Sequence, residues 1–320
     1  MKITRKRAQE VFEVLEDLRE TEFKDRKKDY PYSEWERKRA IVRERLKKLP
    51  AYIRQAVESI VQEERTTGRP KTIELEKKVH LFLFARLMRK SNRGMEEALE
   101  LFQPLFGFNV SYKYIERLYS DEEVKLALHN LFILLVREEG ASGKYSGDGS
   151  GYSLTVEAHY RTNPIKKGKK YLYFFAIIDL GTGMYVGCGI SHHSEMDAFH
   201  KARNMLEKNN IRLDSIRLDK YYSSRKVLRI FGRQVSVYVL PKKNLKNIGI
   251  SWYQTVKRMI EDPIGYLTEY YLRNNSESGF SSDKRRFGSL ITQRREDRQE
   301  TALFTNAVLH NLYAFKVQPH

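Results

Sequence analysis

The sequence predicts two kinds of structure in one chain: an all-α region over residues 1–140 and a mixed α/β domain over residues 141–320. Three observations lead there. The first 140 residues read as consecutive amphipathic helices, with apolar side chains recurring at a period near 3.6. The stretch GASGKYSGDGSGYS, residues 140–153, then introduces glycine and strand-like alternation. Charge shifts at the same place: residues 1–140 hold 30 basic and 25 acidic side chains, residues 141–320 hold 29 and 16, so a boundary is placed near Gly140.

In the first half, Ala8, Val11, Phe12, Leu15 and Leu18 recur at helical spacing. Ser33 and Glu36 form a capping box ahead of Trp35, Ile41, Val42, Leu46 and Leu49. Pro50 restarts a helix through Ile53, Val57 and Ile60, and after a break at TTGRP another runs from about Thr72 to Lys90. Ser91 or Asn92 caps a shorter helix through Ala98, Leu99 and Phe102, which Pro104 and Gly107 end. Ser111 caps SYKYIERLY, which displays Tyr112, Lys113, Tyr114 and Arg117 beside buried Ile115 and Leu118. Residues 92–119 therefore have the order of a helix-turn-helix, whose second helix offers its first side chains to base edges. The connection QPLFGFNV is longer than the usual tight turn, and a plain helical-bundle corner fits the same residues. The runs RKR, DRKK and ERKRAIVRERLKK interleave with acids, as solvated helix faces do.

In the second half, KYSGDGSGYSLTVEAHY reads as strand, turn and strand, and YLYFFAIIDLGTGMYVGCGIS as a hairpin. Residues 194–208 form a capped amphipathic helix; SIRLDKYY and VSVYVLP are short strands separated by the helix-like SSRKVLRIF. The result is a mixed sheet with helices packed on it.

Composition narrows the function. With 59 Lys plus Arg against 41 Asp plus Glu, the chain carries +18, which suits a polyanionic partner. No apolar run approaches the roughly 18–20 residues that span a bilayer, so no membrane partner is expected. The opening MKITRKRAQE is too charged to lead a secretory signal, and a cytoplasmic protein is expected, nucleoid-associated when on DNA. Cys188 stands alone, which excludes an internal disulfide and a Cys-based zinc cluster. No Walker A sequence occurs, so no nucleotide cofactor is expected, and GTGMYVG joins two strands rather than opening a helix as a dinucleotide fingerprint would.

Few carboxylates in the second half fall where strand ends would expose them. Asp148, in GDGSG at the end of the first strand, and Asp219, at the end of SIRLDKYY, do. Either alone also reads as a turn or cap residue. Asp262 and Pro263 then start a helix running through IGYLTEYYLRNNSESGFSSDKRRF. Within it Tyr270, Arg273, Glu277 and Lys284 project along one narrow stripe, which is not a core face, over an interior poor in strong helix formers.

This YxxRxxxExxxxxxK pattern resembles the signature of a group of insertion-sequence DDE transposases, and RRFG follows it much as in that group. GDGSGY and RLDKYYSS are similar to its first and second Asp motifs, and the resemblance covers about residues 144–315. It implies a ribonuclease H-like catalytic domain with a mixed five-stranded sheet and flanking helices. It also implies Asp148, Asp219 and Glu277 as catalytic and metal-ligating residues for two Mg²⁺, with Mn²⁺ substituting, and Tyr270, Arg273 and Lys284 on DNA. The implied reaction is cleavage at element ends followed by attack of a 3′-hydroxyl on target DNA. Double-stranded DNA, as terminal repeats and target, is the implied partner, and a homodimer the implied assembly. The separation of 58 positions from Asp219 to Glu277 leaves no room for the long β-rich insertion of some relatives, and Trp252 alone could stand for the Trp they use on a flipped base. A nuclease that cuts without joining and an inactive, host-adopted DNA-binding protein stay open as alternatives. Among other acids, Asp179 reads as turn chemistry, Asp214 as a strand start, and Glu157 as a competitor for an acidic role. His192, His193, Glu195 and His200 splay around a helix start without a zinc-ligand motif.

Overall fold

The computed structural model describes residues 4–22, 32–60, 73–154, 171–242 and 249–315. Glu157, the DRKK run and the TTGRP break lie outside the described residues. Among the described residues eight helices precede the sheet: α1 (Arg5–Glu22), α2 (Tyr32–Lys47), α3 (Leu49–Glu58), α4 (Leu75–Met88), α5 (Asn92–Leu101), α6 (Gln103–Phe106), α7 (Tyr112–Leu118) and α8 (Glu122–Glu139). The starts of α5, α7 and α8 follow short polar residues, Ser91, Ser111 and Asp121, that satisfy orphan amides. Ser91 Oγ accepts from the Gly94 amide at 3.0 Å and Ser111 Oγ from the Tyr114 amide at 3.3 Å. The Ser33–Glu36 capping box does not form: α2 already begins at Tyr32, and Glu36 instead accepts from Arg39 at 2.9 Å. The connection between α5 and α7 holds the single turn α6 and is not a tight turn.

Beyond Gly140 come β1 (Lys144–Leu154), β2 (Tyr171–Asp179), β3 (Tyr185–Ser191), α9 (Glu195–Lys208), β4 (Ser215–Leu218), α10 (Arg225–Ile230) and β5 (Ser236–Tyr238). These are followed by α11 (Tyr253–Glu261), α12 (Pro263–Tyr271), α13 (Asn274–Phe287), β6 (Leu290–Ile291) and α14 (Glu296–Tyr313). The sheet runs β3-β2-β1-β4-β5, with the two-residue β6 pairing the far end of β1. β1, β2 and β3 are antiparallel neighbours, whereas β4 lies parallel to β1 and β5 parallel to β4. A mixed α/β architecture is therefore what the chain adopts.

Two expectations are corrected. Lys144–Leu154 is one continuous strand, so Asp148 sits in its middle, opposite Ala176, rather than at a turn. The glycines that suggested a turn serve close packing: a Cβ at Gly147 would lie 2.8 Å from the Phe175 ring and 2.9 Å from Leu218, and one at Gly149 would overlap the Glu195 carboxylate. The long helix from Asp262 is two helices, α12 and α13. At their junction the Arg273 carbonyl accepts from the Ser276 amide at 2.9 Å and from Ser146 Oγ at 3.3 Å, a tightened turn held by the neighbouring strand.

The helical region is not tethered loosely to the sheet. α14 packs against α2, α4, α8 and β3, and among the described residues the buried apolar side chains form one cluster that crosses residue 140. Buried Arg45 on α2 reinforces this, donating to the carbonyls of Asn311 at 3.0 Å and Ala314 at 2.6 Å at the C-terminus of α14 and pairing with Glu139 at 2.6 Å. No helix among the described residues is long and apolar enough to cross a membrane.

Candidate active site

The sheet register brings two distant acids together. Gly147 on β1 stands opposite Leu218 on parallel β4, so Asp148 and Asp219, the next residues along, emerge side by side. Asp219 leaves the strand and caps the turn Lys220–Tyr222, accepting from the Tyr221 amide at 3.2 Å. Asp148 turns one oxygen back to the Gly149 amide at 2.9 Å.

The third acid arrives on α13, which buries Ser276, Phe280, Asp283 and Phe287. Offsets of 4, 3 and 4 residues put these on one helical face. Ser276 Oγ meets Ser146 Oγ at 2.6 Å on β1; Phe280 packs edge-on to Phe174, with ring centroids 6.0 Å apart. Asp283 accepts from the Tyr185 hydroxyl at 2.6 Å and faces His310 Nδ1 at 2.8 Å, while His310 Nε2 donates to the Gly183 carbonyl at 2.9 Å. Tyr185 and His310 also stack at 3.6 Å. Glu277, one residue past Ser276, is thereby held at the rim of the strand pair.

Arg273 stands at the centre. Its Nη2 lies 3.0 Å from Glu277, and its Nη1 lies 3.7 Å from Asp219 and 3.9 Å from Asp148. Burial opposes the charge of Arg273, yet Tyr270, Asp219, Glu277 and Asp148 together hold its pKa above the ordinary value. Asp148 is pushed up to about 6, chiefly by burial, with the Gly149 amide and Arg273 pulling down and Asp219 and Glu277 pushing up. The three carboxylates thus surround one guanidinium rather than converge on a point. Among the described residues no three His, Cys, Asp or Glu side chains are close enough to clasp one metal ion. The donor chemistry nevertheless suits a hard divalent cation: three carboxylates from three elements, with no thiolate or imidazole among them.

The other signature residues divide. Tyr270 belongs to the core at 3% exposure, contrary to the expectation for its stripe, with Arg273 Cζ 5.7 Å from its ring centre. Lys284 lies on the same sheet face but outside the acid cluster, its Nζ 5.1 Å from the centre of the Tyr152 ring, four residues further along β1. Burial lowers its pKa. In α7, Lys113 and Arg117 are exposed and Tyr112 and Tyr114 half-buried, with Arg93 5.1 Å from the Tyr112 ring centre and burial raising the Tyr114 pKa.

The competing acids fall away from the centre. Asp179 is fully buried and spends its oxygens on Ser142, the Gly181 amide at 3.1 Å and Thr182 at 3.0 Å, as a turn residue does. Asp214 directly precedes β4. Trp252 is fully buried, packing edge-on to Phe12 at 6.4 Å. Sequence reasoning passed over Ser146, Ser276, Asp283 and His310, which seat α13; the 276, 280, 283, 287 spacing was the available signal. It also placed Glu195 only among the histidines, whereas Glu195 lies against Gly149 and accepts from the Tyr222 hydroxyl at 2.5 Å.

Fold and site together define a mixed α/β protein with a carboxylate centre between a central strand and the first turn of a helix rich in cations. The chain is 58% identical over 316 residues to the probable transposase for insertion sequence element ISA1214 of Archaeoglobus fulgidus, an alignment covering 99% of this chain and 98% of that protein. It belongs to the family of insertion-sequence transposases. Among solved structures it is similar to the piggyBac transposase synaptic complex with hairpin DNA, at TM-score 0.46 and 10% identity over 82% of this chain and 70% of that one. No family model matches the chain.

Proposed function

We propose that this insertion-sequence transposase cuts and joins DNA at a DDE centre formed by Asp148, Asp219 and Glu277. The observation that carries the reading is that three acids, distant in sequence and held on three separate elements, surround one arginine. A strand order of three antiparallel strands followed by two parallel ones supports a ribonuclease H-like domain. Mg²⁺, or Mn²⁺ in its place, would suit the three-carboxylate set and would be held by Asp148, Asp219 and Glu277. When bound, such ions stabilise the attacking and leaving oxygens of an in-line displacement.

The chain's own residues supply the rest. Without the ions Arg273 balances the carboxylate charge; with DNA present its guanidinium turns to a phosphate, which it can grip through two parallel hydrogen bonds. Lys284 holds a second phosphate further along β1, whose negative charge offsets the burial that lowers the lysine pKa. Tyr270 supports Arg273 from below, its ring walling the site. Tyr112, Lys113, Tyr114 and Arg117 offer contacts to terminal-repeat DNA from a helix-turn-helix-like corner, and a homodimer would pair two element ends.

The test is cleavage and strand transfer on labelled DNA carrying the element's own ends, with Mg²⁺ or Mn²⁺, for wild type and Glu277→Ala. Wild type is expected to nick and join, and Glu277→Ala to bind DNA while losing at least about 10³-fold in rate, the scale at which a group stabilising transition-state charge matters. Cutting without joining would make the chain a nuclease. Binding with no cutting under any divalent ion would leave only a DNA-binding role.

A further inference from the structure

We propose that a continuous track of cations, Lys284, Arg285, Arg89, Lys90, Arg93 and Lys113, carries one DNA duplex from the acid centre to the α5–α7 corner; this rests on the transposase reading above. The path is built from contacts between elements. Arg89, in left-handed backbone conformation at φ 55°, ends α4 and turns its guanidinium onto the C-terminus of α13, donating to the Arg285 carbonyl at 3.2 Å. It also packs against Gly288, where a Cβ would lie 3.3 Å from Arg89 Nε. Lys90 and Arg93 follow at the start of α5, and Arg93 reaches the Tyr112 ring at the start of α7, beside Lys113.

The C-terminal carbonyls of α13 hold the Arg89 guanidinium in place, and the side chains of Lys284, Arg285 and Arg286 in the same last turn add further positive charge to this end of the helix. Arg89, Lys90, Arg93, Lys113 and Arg285 are exposed, and among the described residues none of these five, nor Lys284, is in an ion pair. Other cations of the helical region do pair locally, as with Lys38 and Glu34 or Lys47 and Glu44 on α2, although Arg37, Arg43 and Lys48 are in no ion pair among the described residues. A row of unneutralised cations costs fold stability through self-repulsion, but it attracts a polyanion strongly. The track is also rigid: Arg298 on α14 pairs with Glu116 on α7 and donates to Ser120 at 2.8 Å, fixing the corner to the helix that packs on the sheet. Cations held at fixed spacing lose less conformational freedom on binding than cations on free loops. Duplex DNA, with regularly spaced phosphates, is the partner such a row fits.

The experiment is fluorescence anisotropy of a labelled duplex bearing the element end, over a salt series, in Ca²⁺ so that no cutting intervenes. The proteins are wild type, Arg89→Gln/Arg93→Gln, Lys90→Gln/Lys113→Gln, and the α2 control Arg39→Gln/Lys47→Gln. Each lost phosphate contact flattens the log–log salt dependence by about 0.9, so each track pair is expected to reduce the slope by about 2 and to shrink the fall in affinity between about 50 and about 200 mM salt roughly tenfold. The control is expected to match wild type. Track pairs with wild-type slope and affinity would overturn the proposal, as would equal binding of a single strand of the same length. The lysine pair keeps the outcome decisive if the arginine pair disturbs folding, since neither lysine donates a hydrogen bond among the described residues. If wild type itself bound duplex without salt dependence, the transposase reading would fail; if it bound steeply and both pairs matched it, the track alone would fail.

Discussion

Helices α13 and α14 pack on the same sheet within thirty residues of each other, yet they bury very different amounts of apolar surface. α14 is buried along almost its whole length by Ala302, Leu303, Ala307, Val308, Leu309 and Leu312, and it belongs to the shared core. α13 buries four side chains, of which Ser276 and Asp283 are polar, and it presents Glu277 and Lys284 on either side of Phe280. The difference teaches where stability and function reside. Apolar packing covers most of α14, supplemented by Asn311, which pairs with the Tyr185 backbone at 2.8 and 2.9 Å, whereas α13 buries little apolar surface and relies on the hydrogen bonds of Ser276 and Asp283 to fix its rotation and height over β1. Its small residues permit that seating: Gly279 lies where a Cβ would be 3.1 Å from Ile178. A weak helix former is therefore what close approach to the strand requires, at a cost of roughly 1 kcal/mol for a helical glycine.

The comparison breaks most sharply at Asp283. Asp283→Ala leaves the Tyr185 hydroxyl and His310 without their partner in a buried site and is expected to destabilise the chain by about 3–5 kcal/mol. The folded fraction should also lose cleavage activity, because Glu277 loses its seat. Leu303→Ala on α14 is expected to cost about 2–5 kcal/mol through its cavity, with cleavage per folded molecule unchanged. Urea unfolding paired with single-turnover cleavage separates the two; equal activity losses would erase the distinction.

A smaller effect of opposite sign is expected at Asp148. Its carboxyl, held at about 6 by burial, binds a proton more tightly in the folded than in the unfolded chain. The stability it contributes is full below the ordinary carboxylate range and is lost as pH rises through 6. Without divalent ions, Asp148→Asn is therefore expected to be more stable than wild type by about 3 kcal/mol at pH 7, and equal to it only well below the ordinary carboxylate pKa, at about pH 3. Urea midpoints across that window check this, and a variant less stable at pH 7 would contradict it.

Much of this arrangement was legible in the sequence, and the failures have specific causes. The hairpin of β2 and β3, the capped α9, the short β4 ending at Asp219 and the Ser caps of α5 and α7 follow from alternation and capping chemistry. The strand through Asp148 was misread because Asp-Gly is a turn signal when taken locally; only Phe175, Leu218 and Glu195, all distant in sequence, reveal why glycine stands there. The stripe of Tyr270, Arg273, Glu277 and Lys284 implied one helix, but Ser146 on β1 binds the Arg273 carbonyl where the helix divides. Arg273 was assigned to DNA alone, since sequence spacing carries no information that three acids would close around it. Asp283 escaped notice because a buried acid on an amphipathic face looks like a solvated one until its partners His310 and Tyr185 are known.

The proposed metal centre places Asp148, Asp219 and Glu277 around the position that Arg273 fills. Fe²⁺ substituted for Mg²⁺, with ascorbate and peroxide, cuts polypeptide close to where it binds, and the fragments can be mapped by mass spectrometry without any DNA chemistry. The account expects cuts clustered near residues 148, 219 and 277, suppressed by excess Mg²⁺ and absent from Asp148→Asn. Cuts elsewhere, or cuts at these positions that survive Asp148→Asn, would contradict it.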